Sequence, residues 1–315
     1  MKTLRFVFLL AMPILLWAGS VTTSQDMGFR HMVVPRQQAR PRTMGVASAD
    51  SERVERLLSS LIPLRSKLSK EDLTLKVARF FIGVPYVAHT LDRNSEETLV
   101  VNMRGMDCTT YLENVIAVLF CIDKKQTSFG YFKQMLQYIR YRQGRLSYEN
   151  RLHYYQWWIV DNQQKGFIRQ IEGPNPPFTA TQTLKINYMS ENYNSYDMLR
   201  NRPERVAALK KMEDRTNGIK VRYIPKNLLN NAALLRKVVR NGDIIAITTR
   251  KRNLDTTHLG FAVWHDDGLH MINASSLKRN GRQVIEPKQT LYQYLMQQPN
   301  STGIRLARLV LPNLR

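Results

Sequence analysis

The chain has 315 residues, 43% of them hydrophobic, which is enough to bury a sizeable core in one large domain or two small ones. Its formal net charge of +22 favours anionic partners. The Lys and Arg residues are scattered, with no basic stripe interleaved with aromatic residues, so the composition argues against a nucleic-acid-binding protein.

The first 20 residues have the layout of a secretory signal peptide. Lys2 and Arg5 form a short basic start, an apolar run extends from Phe6 to Ala18, and small residues follow. The run is shorter than the roughly 20 residues of a membrane span, although an uncleaved anchor is the alternative. No later run is apolar enough to cross a bilayer. We expect residues 1–20 to be removed and the mature protein, with no membrane span, to act in the periplasm or cell envelope.

A flexible linker is predicted for residues 21–49, which are polar and aperiodic, followed by a single domain over residues 50–315. Apolar residues at helical spacing predict a helix from Ser51 that closes at Pro63. A second helix is predicted over residues 70–81. Ser69 is placed to cap this helix, and Gly83 is placed to end it.

A third helix is predicted to begin at Cys108, after a short predicted strand at residues 99–101 and a Gly-Met-Asp turn. The other cysteine, Cys121, lies 13 residues further along the same predicted helix, which is roughly 20 Å at about 1.5 Å per residue. A disulfide needs Cα atoms within about 7 Å, so both thiols are predicted to be free. Cys121 follows an apolar run and is predicted to be a core residue.

The remaining elements change from helical to extended along the chain. Residues 130–165 are predicted to be helical, residues 172–240 are mixed with a helix near 201–213, and four strands are predicted at 243–249, 258–264, 269–275 and 304–311. The order of helices followed by an antiparallel sheet predicts an α+β fold.

Cys108 needs a histidine nearby to act as a nucleophile. The thiolate is the reactive form, and both a helix N-terminus and a neighbouring histidine lower the pKa of a thiol. Of the six histidines, His258 is favoured because it opens a predicted strand.

The turn after this strand decides which residue can orient His258. If residues 265–268 form a four-residue loop, Trp264 pairs with Leu269, and His258 and Asn273 become diagonal neighbours on one face, about 7 Å apart. A two-residue loop would keep the parity but separate the pair, and a three-residue loop would break it.

The favoured register offers Cys108 as nucleophile, His258 as base and Asn273 as orienting group, in the manner of a cysteine hydrolase. The backbone N–H of Cys108 is a candidate oxyanion donor. Spacing alone leaves it equally open that the three residues have only structural roles.

The segments FFIGVPYVAHTL, ETLVVN, MDCTTYLENVIAV, GDIIAITT, THLGFAVW and HMINASS, in this order, strongly resemble the NlpC-type cell-wall cysteine hydrolases. With RYRQGRLSYENRLHYYQWWIVDNQQKG and TGIRLARLVL, the match is closest to the N-acetylmuramoyl-L-alanine amidase-like branch and covers about residues 70–315. The resemblance implies a papain-like core in which the cysteine helix packs on an antiparallel sheet that carries the histidine. The third polar position, often histidine in that family, is Asn273 here.

The resemblance also implies which residues line the site. Tyr86 would lie near the oxyanion, and a helical insertion at about residues 122–240 would wall the substrate groove with Arg151, His153 and Tyr154. Asp107 is expected to cap the helix or, less favoured, to contact a substrate amine. Glu113 is left open between a site residue and an exposed helix position.

The implied function is hydrolysis of the N-acetylmuramoyl-L-alanine amide bond in peptidoglycan or muropeptides, through a thioester on Cys108. The alternatives are a stem-peptide endopeptidase, cutting between D-glutamate and the diamino acid, and a non-catalytic basic module that binds envelope polymers.

No metal or other cofactor is predicted, because no His-Glu-x-x-His motif occurs. His265, Asp266, Asp267 and His270 surround the predicted turn and are better explained as a polar hairpin tip than as a cation site.

Overall fold

The computed structural model describes residues 46–314. The predicted signal peptide (1–20) and most of the predicted linker (21–49) lie outside the described residues. The first helix, α1, begins at Val46 and not at Ser51, so the linker as predicted extends four residues too far. No helix of residues 46–314 is long and apolar enough to cross a membrane.

The helices form most of the first half of the described chain. Ser69 caps α2 by accepting a hydrogen bond from the backbone N–H of Asp72, as predicted, and Gly83 has a positive φ of 87° just beyond its end. The region predicted as helical from 130 to 165 contains two helices with a connection between them. The helices are α1 Val46–Leu61, α2 Lys70–Phe80, α3 Cys108–Asp123, α4 Phe129–Arg140, α5 Tyr155–Gln164, α6 Tyr188–Glu191, α7 Pro203–Thr216, α8 Ala232–Leu235 and α9 Leu291–Met296.

One antiparallel sheet of eight strands makes up the other layer. The strands are β1 Ile168–Ile171, β2 Ala180–Thr183, β3 Lys220–Pro225, β4 Ile244–Thr249, β5 Thr256–His265, β6 Gly268–Ala274, β7 Val284–Ile285 and β8 Ser301–Leu309. The order across the sheet is β2-β3-β8-β4-β5-β6-β7, and β1 also pairs with β8. Mixed helices and an antiparallel sheet confirm the predicted α+β class.

The β5–β6 hairpin has the predicted register, with Trp264 opposite Leu269. Pairing continues to His265 and Gly268, so the loop has two residues and not four. The prediction that a two-residue loop would separate His258 from Asn273 is wrong, because the added pair leaves the register unchanged.

The short strand predicted at residues 99–101 is absent, and this prediction is wrong. The carbonyl oxygen of Val100 accepts a hydrogen bond from Nη1 of Arg140 at 2.7 Å. The side chain of Arg140, in α4, therefore supplies the hydrogen bond to the Val100 carbonyl that a paired strand would otherwise have supplied.

The core lies on both faces of the sheet. On one face, α3 is buried along nearly its whole length, from Thr110 to Asp123, as expected for a helix that is apolar on all sides. Cys121 is fully buried in it, as predicted, and both cysteines are free. The other face is covered by a smaller cluster that includes residues of α8 and α9. Tight packing of α3 against the sheet fixes where its first residue, Cys108, lies.

Candidate active site

Cys108 is the first residue of α3, and a capping box fixes its position. Oδ1 of Asp107 accepts from the backbone N–H of Thr110 at 2.8 Å, and Oγ1 of Thr110 accepts from the backbone N–H of Asp107 at 2.9 Å. Asp107 therefore has the capping role that the sequence favoured. The backbone N–H of Cys108, in the first turn, has no carbonyl partner within the helix and is available to bind an oxyanion.

His258 and Asn273 form a hydrogen bond across the β5–β6 hairpin, with 2.8 Å between Nε2 of His258 and Oδ1 of Asn273. The amide orientation is supported by Nδ2 of Asn273, which donates to the carbonyl of Met271 at 2.9 Å. Since Oδ1 can only accept, Nε2 of His258 carries a proton, and Nδ1 is the nitrogen that can take one in the neutral ring.

Cys108 and His258 line one cleft of about 390 Å³. All the sequence-predicted site residues other than Asn273 line this cleft with them: Tyr86, Asp107, Arg151, His153 and Tyr154. Asn273 is buried and contacts the site through His258. The structure thus brings together groups that are up to 172 positions apart in the sequence, between Tyr86 and His258.

The thiol of Cys108 is held in its neutral form. Burial and the negative charge of Asp107 raise its pKa to about 12, although the backbone N–H of Leu259 and the side chain of Thr109 favour the thiolate. The predicted lowering by the helix N-terminus is therefore outweighed by burial. The contact with Leu259 places the sulfur against β5, beside His258.

Burial also favours the neutral forms of His258 and Tyr86. It lowers the pKa of His258, against the opposing effect of the hydrogen bond to Asn273. It raises the pKa of Tyr86 to about 12, with further contributions from Cys108 and Asp107. Tyr86 is therefore a hydroxyl donor close to the thiol at neutral pH.

Arg151 and Tyr154 use their polar ends to build the cleft wall. Arg151 is almost fully buried, forms an ion pair with Asp92, and donates to the carbonyl of Leu91 at 3.1 Å. The hydroxyl of Tyr154 donates to Glu213 at 2.6 Å. These contacts hold the loop before α3, and the helix α7, against the segment that contains Arg151 and Tyr154. Direct contact of either residue with substrate is a proposal.

His153 differs from Arg151 and Tyr154, because one of its two ring nitrogens is available for a hydrogen bond to another group. Its Nε2 lies 2.8 Å from the carbonyl oxygen of Tyr148, which requires a proton on Nε2. Burial and the neighbouring Arg151 lower its pKa well below the usual value. His153 therefore offers a neutral acceptor, Nδ1, in the wall of the cleft.

Sequence reasoning left the role of Glu113 open and missed Asp255, and both residues line the cleft. Glu113 pairs with Arg140 at 2.6 Å, and both side chains are only 2% exposed, so Glu113 is a buried cleft residue and not an exposed helix position. Asp255 accepts from the backbone N–H of Gln156 at 2.6 Å and thereby caps α5. A glutamate in an otherwise apolar helix was the available signal for the first; nothing local signals the second.

The hairpin tip is a network of polar contacts. Nε2 of His270 lies 2.8 Å from Asp267, and Nε2 of His265 lies 2.8 Å from Glu286. In the part of the chain that the structure describes, no group of three or more His, Cys, Asp or Glu side chains is arranged to hold a metal ion.

The chain matches known proteins over most of its length. A family model described as AmiA-like, N-acetylmuramoyl-L-alanine amidase-like, matches residues 76–304. A crystal structure of an N-acetylmuramoyl-L-alanine amidase from Bacteroides uniformis is 39% identical, with a TM-score of 0.68, and the match covers 75% of this chain and 97% of that one. A structure from Bacteroides fragilis, described as a candidate xylanase, is 36% identical, with a TM-score of 0.68 and coverage of 75% and 100%.

A third structure, from Legionella pneumophila, shares 21% identity with a TM-score of 0.63 and coverage of 84% and 96%, and shows a similar fold alone. No curated protein matches the chain significantly.

Proposed function

Because the chain belongs to the N-acetylmuramoyl-L-alanine amidase-like family, we propose that it is an exported cysteine amidase with an NlpC-type, papain-like core. Its reaction would be hydrolysis of the amide between N-acetylmuramic acid and L-alanine in peptidoglycan or muropeptides. The observation that carries the proposal is the single cleft that contains Cys108 and His258, with His258 oriented by a 2.8 Å hydrogen bond to Asn273.

The first half of the reaction transfers the muramoyl group to sulfur. Nδ1 of His258 takes the thiol proton as the sulfur of Cys108 attacks the lactyl carbonyl carbon of the substrate. The imidazolium then gives this proton to the amide nitrogen of L-alanine, the C–N bond breaks, and the stem peptide leaves with a free amine. A muramoyl thioester remains on Cys108.

The second half returns the enzyme to its starting state. Nδ1 of His258 takes a proton from water, and the resulting hydroxide attacks the thioester carbonyl. The C–S bond breaks, the sulfur recovers the proton, and the sugar leaves with a carboxyl group. Asn273 keeps the ring in the tautomer that both halves need.

The neutral resting state defines how the thiol is activated. Since burial raises the pKa of Cys108 to about 12 and lowers that of His258, a preformed thiolate–imidazolium pair is disfavoured. Proton transfer would accompany the attack of sulfur on the carbonyl. The backbone N–H of Cys108 and the hydroxyl of Tyr86 are the candidate donors for the oxyanion.

The acids of the cleft support the amidase over a glycosidase, the class to which a xylanase belongs. A glycosidase generally needs two carboxyl groups free to act on the sugar. Here Glu113 is paired with Arg140, Asp92 with Arg151, and Asp255 accepts backbone hydrogen bonds. Asp107 caps α3. Each acid thus already has a structural partner.

The test is incubation of the full chain with defined muropeptides, with the products identified by mass spectrometry. Cys108→Ala is the inactivating variant, and Cys121→Ala is the matched control because it removes the other free thiol, which is buried in the core. We expect a free stem peptide beginning with L-alanine from the wild type and from Cys121→Ala, and none from Cys108→Ala.

Two results would contradict the proposal. A thiol-dependent cut inside the stem peptide would keep the mechanism and reassign the bond to an endopeptidase. The absence of any thiol-dependent product from any fragment would favour a non-catalytic envelope-binding module.

A further inference from the structure

A group of exposed cations lies along one edge of the sheet, beside the cleft. We call it the basic strip, and it consists of Lys185, Lys220, Arg222, Arg250, Lys251 and Arg252, all of them exposed. The six residues come from three separate parts of the chain: the segment after β2, the strand β3, and the turn after β4.

The strand register brings the first two parts together. Thr181 lies opposite Arg222, and Thr183 lies opposite Lys220, in the antiparallel pair of β2 and β3. Directly opposite residues share one face of a sheet, so Arg222 and Lys220 project on the side of the exposed threonines. Lys185 follows two residues after Thr183.

Side-chain and backbone hydrogen bonds attach the third part to the same segment. Nε2 of Gln182 donates to the carbonyl of Thr249 at 3.3 Å, next to Arg250. The backbone N–H of Asn187 donates to the carbonyl of Asn253 at 3.4 Å, next to Arg252. The segment 182–187 therefore runs between the cations of β3 and those of the turn.

The basic strip is not neutralised by acids of residues 46–314. None of its six side chains forms an ion pair there. In contrast, the two arginines that line the cleft are paired, Arg140 with Glu113 and Arg151 with Asp92 and Glu97. The nearby acid, Glu191, accepts a hydrogen bond from Asn253. Arg222 donates to the carbonyl of Phe178 at 3.4 Å.

The basic strip is continuous with the cleft. Leu254, Asp255 and His258 line the cleft, and Arg252 precedes Leu254 by two residues, which is at most about 7 Å of extended chain. Tyr188 lines the cleft three residues after Lys185. A substrate held at Cys108 that extends past this side would meet three or more unpaired cations.

We propose that the basic strip binds the carboxylates of the stem peptide while its first residue is held at Cys108. The inference rests on the proposed function and extends it to the peptide side of the scissile bond. The lactyl carboxyl of the sugar is tied up in the amide that is cleaved, whereas D-glutamate and later residues of the stem keep free carboxylates. An extended stem of four residues spans about 13 Å, which is longer than the two residues of chain, at most about 7 Å, that separate Arg252 from the cleft residue Leu254.

Electrostatic attraction between the basic strip and the carboxylates of the stem peptide mainly increases the rate at which substrate binds. Clusters of one sign raise the association rate of an oppositely charged ligand by about 10-fold or more, and the effect weakens as salt rises. The screening length is about 10 Å at 0.1 M ionic strength, so attraction over longer distances is largely lost at that salt concentration.

The test compares two substrates that share the sugar and L-alanine and differ only in the stem, whose carboxyls are free in one and amidated in the other. The strip variant is Arg250→Gln/Lys251→Gln/Arg252→Gln. The control variant, Lys67→Gln/Lys76→Gln/Lys237→Gln, removes the same charge from exposed positions that do not line the cleft. The full chain is used, at low and at raised salt.

The readout is the ratio of kcat/KM for the carboxylate substrate to kcat/KM for the amidated one. We expect a ratio of about 10 for the wild type and the control variant at low salt, falling with added salt, and a ratio near 1 for the strip variant. An equal ratio in the strip variant and the wild type would overturn the inference.

A binding measurement separates this failure from failure of the proposed function. The free stem peptide is titrated into the Cys108→Ala protein with and without the strip substitutions. Salt-sensitive binding that the strip substitutions weaken would support the basic strip whatever bond is cleaved, and binding that they leave unchanged would refute it. Absence of cleavage by the wild type would refute the amidase instead.

Discussion

At the scale of single residues, the neutral partner of His258 distinguishes this site. Asn273 orients the imidazole through Oδ1 without adding a negative charge. Burial lowers the pKa of His258 and outweighs the opposing effects of the hydrogen bond to Asn273 and of the charge on Asp107, so the ring stays able to accept a proton in mildly acidic solution.

Asn273→Asp should therefore move the acid limb of the pH–rate profile. A carboxylate at this position favours the imidazolium and raises the pKa of His258. In the wild type we expect kcat/KM to fall as the pH drops below 6.5. In Asn273→Asp this fall should begin at higher pH, because His258 must lose its proton before it can act as base. The measurement is kcat/KM against pH for both proteins on one muropeptide.

Asn273→Ala is the control for this shift. It removes the orientation of the ring without adding charge, and we expect a loss of about 10²–10⁴-fold in rate, the usual contribution of a positioned general base. If the acid limb of the pH–rate profile lies at the same pH in Asn273→Asp as in the wild type, His258 is not the group whose titration limits the reaction.

Local signals made Cys108, His258 and Asn273 recognisable in the sequence. The Gly-Met-Asp turn marked a helix start, and the alternation of a hairpin put the other two on one face. The Glu113–Arg140 pair could not be predicted, because its partners lie 27 positions apart on different helices. Nothing in either helix specifies which arginine meets the glutamate.

At the scale of elements, the first turn of α3 contains two opposing effects on the thiol. The helix N-terminus favours a thiolate at Cys108, whereas the carboxylate that caps the helix disfavours it. The residue that fixes the position of Cys108, the proposed nucleophile, thus also favours its protonated form.

Asp107→Asn should separate these two effects. Asparagine caps a helix about as well as aspartate, so α3 should keep its start. Without the negative charge, the pKa of Cys108 should fall, because Asp107 is among the causes that raise it. The measurement is the rate of alkylation of Cys108 against pH, in the Cys121→Ala background.

Thr110→Val is the control, since it removes the other half of the capping box and leaves the charge of Asp107. We expect a loss of about 1 kcal/mol in the free energy of unfolding and no fall in the pKa of Cys108. An unchanged pKa in Asp107→Asn would mean that burial alone sets the state of the thiol.

Long, regular elements were predictable and short ones were not. The alternating apolar residues of β4, β5, β6 and β8 place all four strands to within a few residues. In contrast, β1 and β2 have four residues each and few apolar side chains. β1 is a strand because Ile168 pairs with Leu309, a partner 141 positions away. Tertiary pairing decides such segments, and local propensity does not.

At the scale of the whole molecule, two partly buried histidines couple stability to pH. Burial lowers the pKa of both His153 and His258 in the folded protein. In the unfolded chain each would titrate near 6.5. Between that value and the lowered folded pKa, the unfolded state binds more protons, so acid stabilises the unfolded state.

We therefore expect the free energy of unfolding to fall as the pH drops below 6.5, by up to about 1.4 kcal/mol per pH unit for each histidine. His153→Gln should reduce this slope, because Gln can still donate to Tyr148 and does not titrate. Denaturant titrations from pH 7 to pH 5 give the slope. Gln126→Asn, at an exposed position without a titratable side chain, is the control and should leave the slope as in the wild type. Equal slopes in the wild type and both variants would contradict the conclusion that His153 makes stability depend on pH.

The position of β8 within the sheet has a consequence for the order of folding. Ser301–Leu309 pairs with β4 along one side and with β1 and β3 along the other, so a late segment of the sequence is an interior strand. Until that segment is available, β4 has an open edge, β1 has no strand to join, and the β2–β3 pair is not attached to the rest of the sheet. Closure of the sheet must therefore wait for nearly all the described chain to emerge from the ribosome. For the export that we propose, such a delay would keep the nascent polypeptide unfolded long enough for a translocation machinery to accept it.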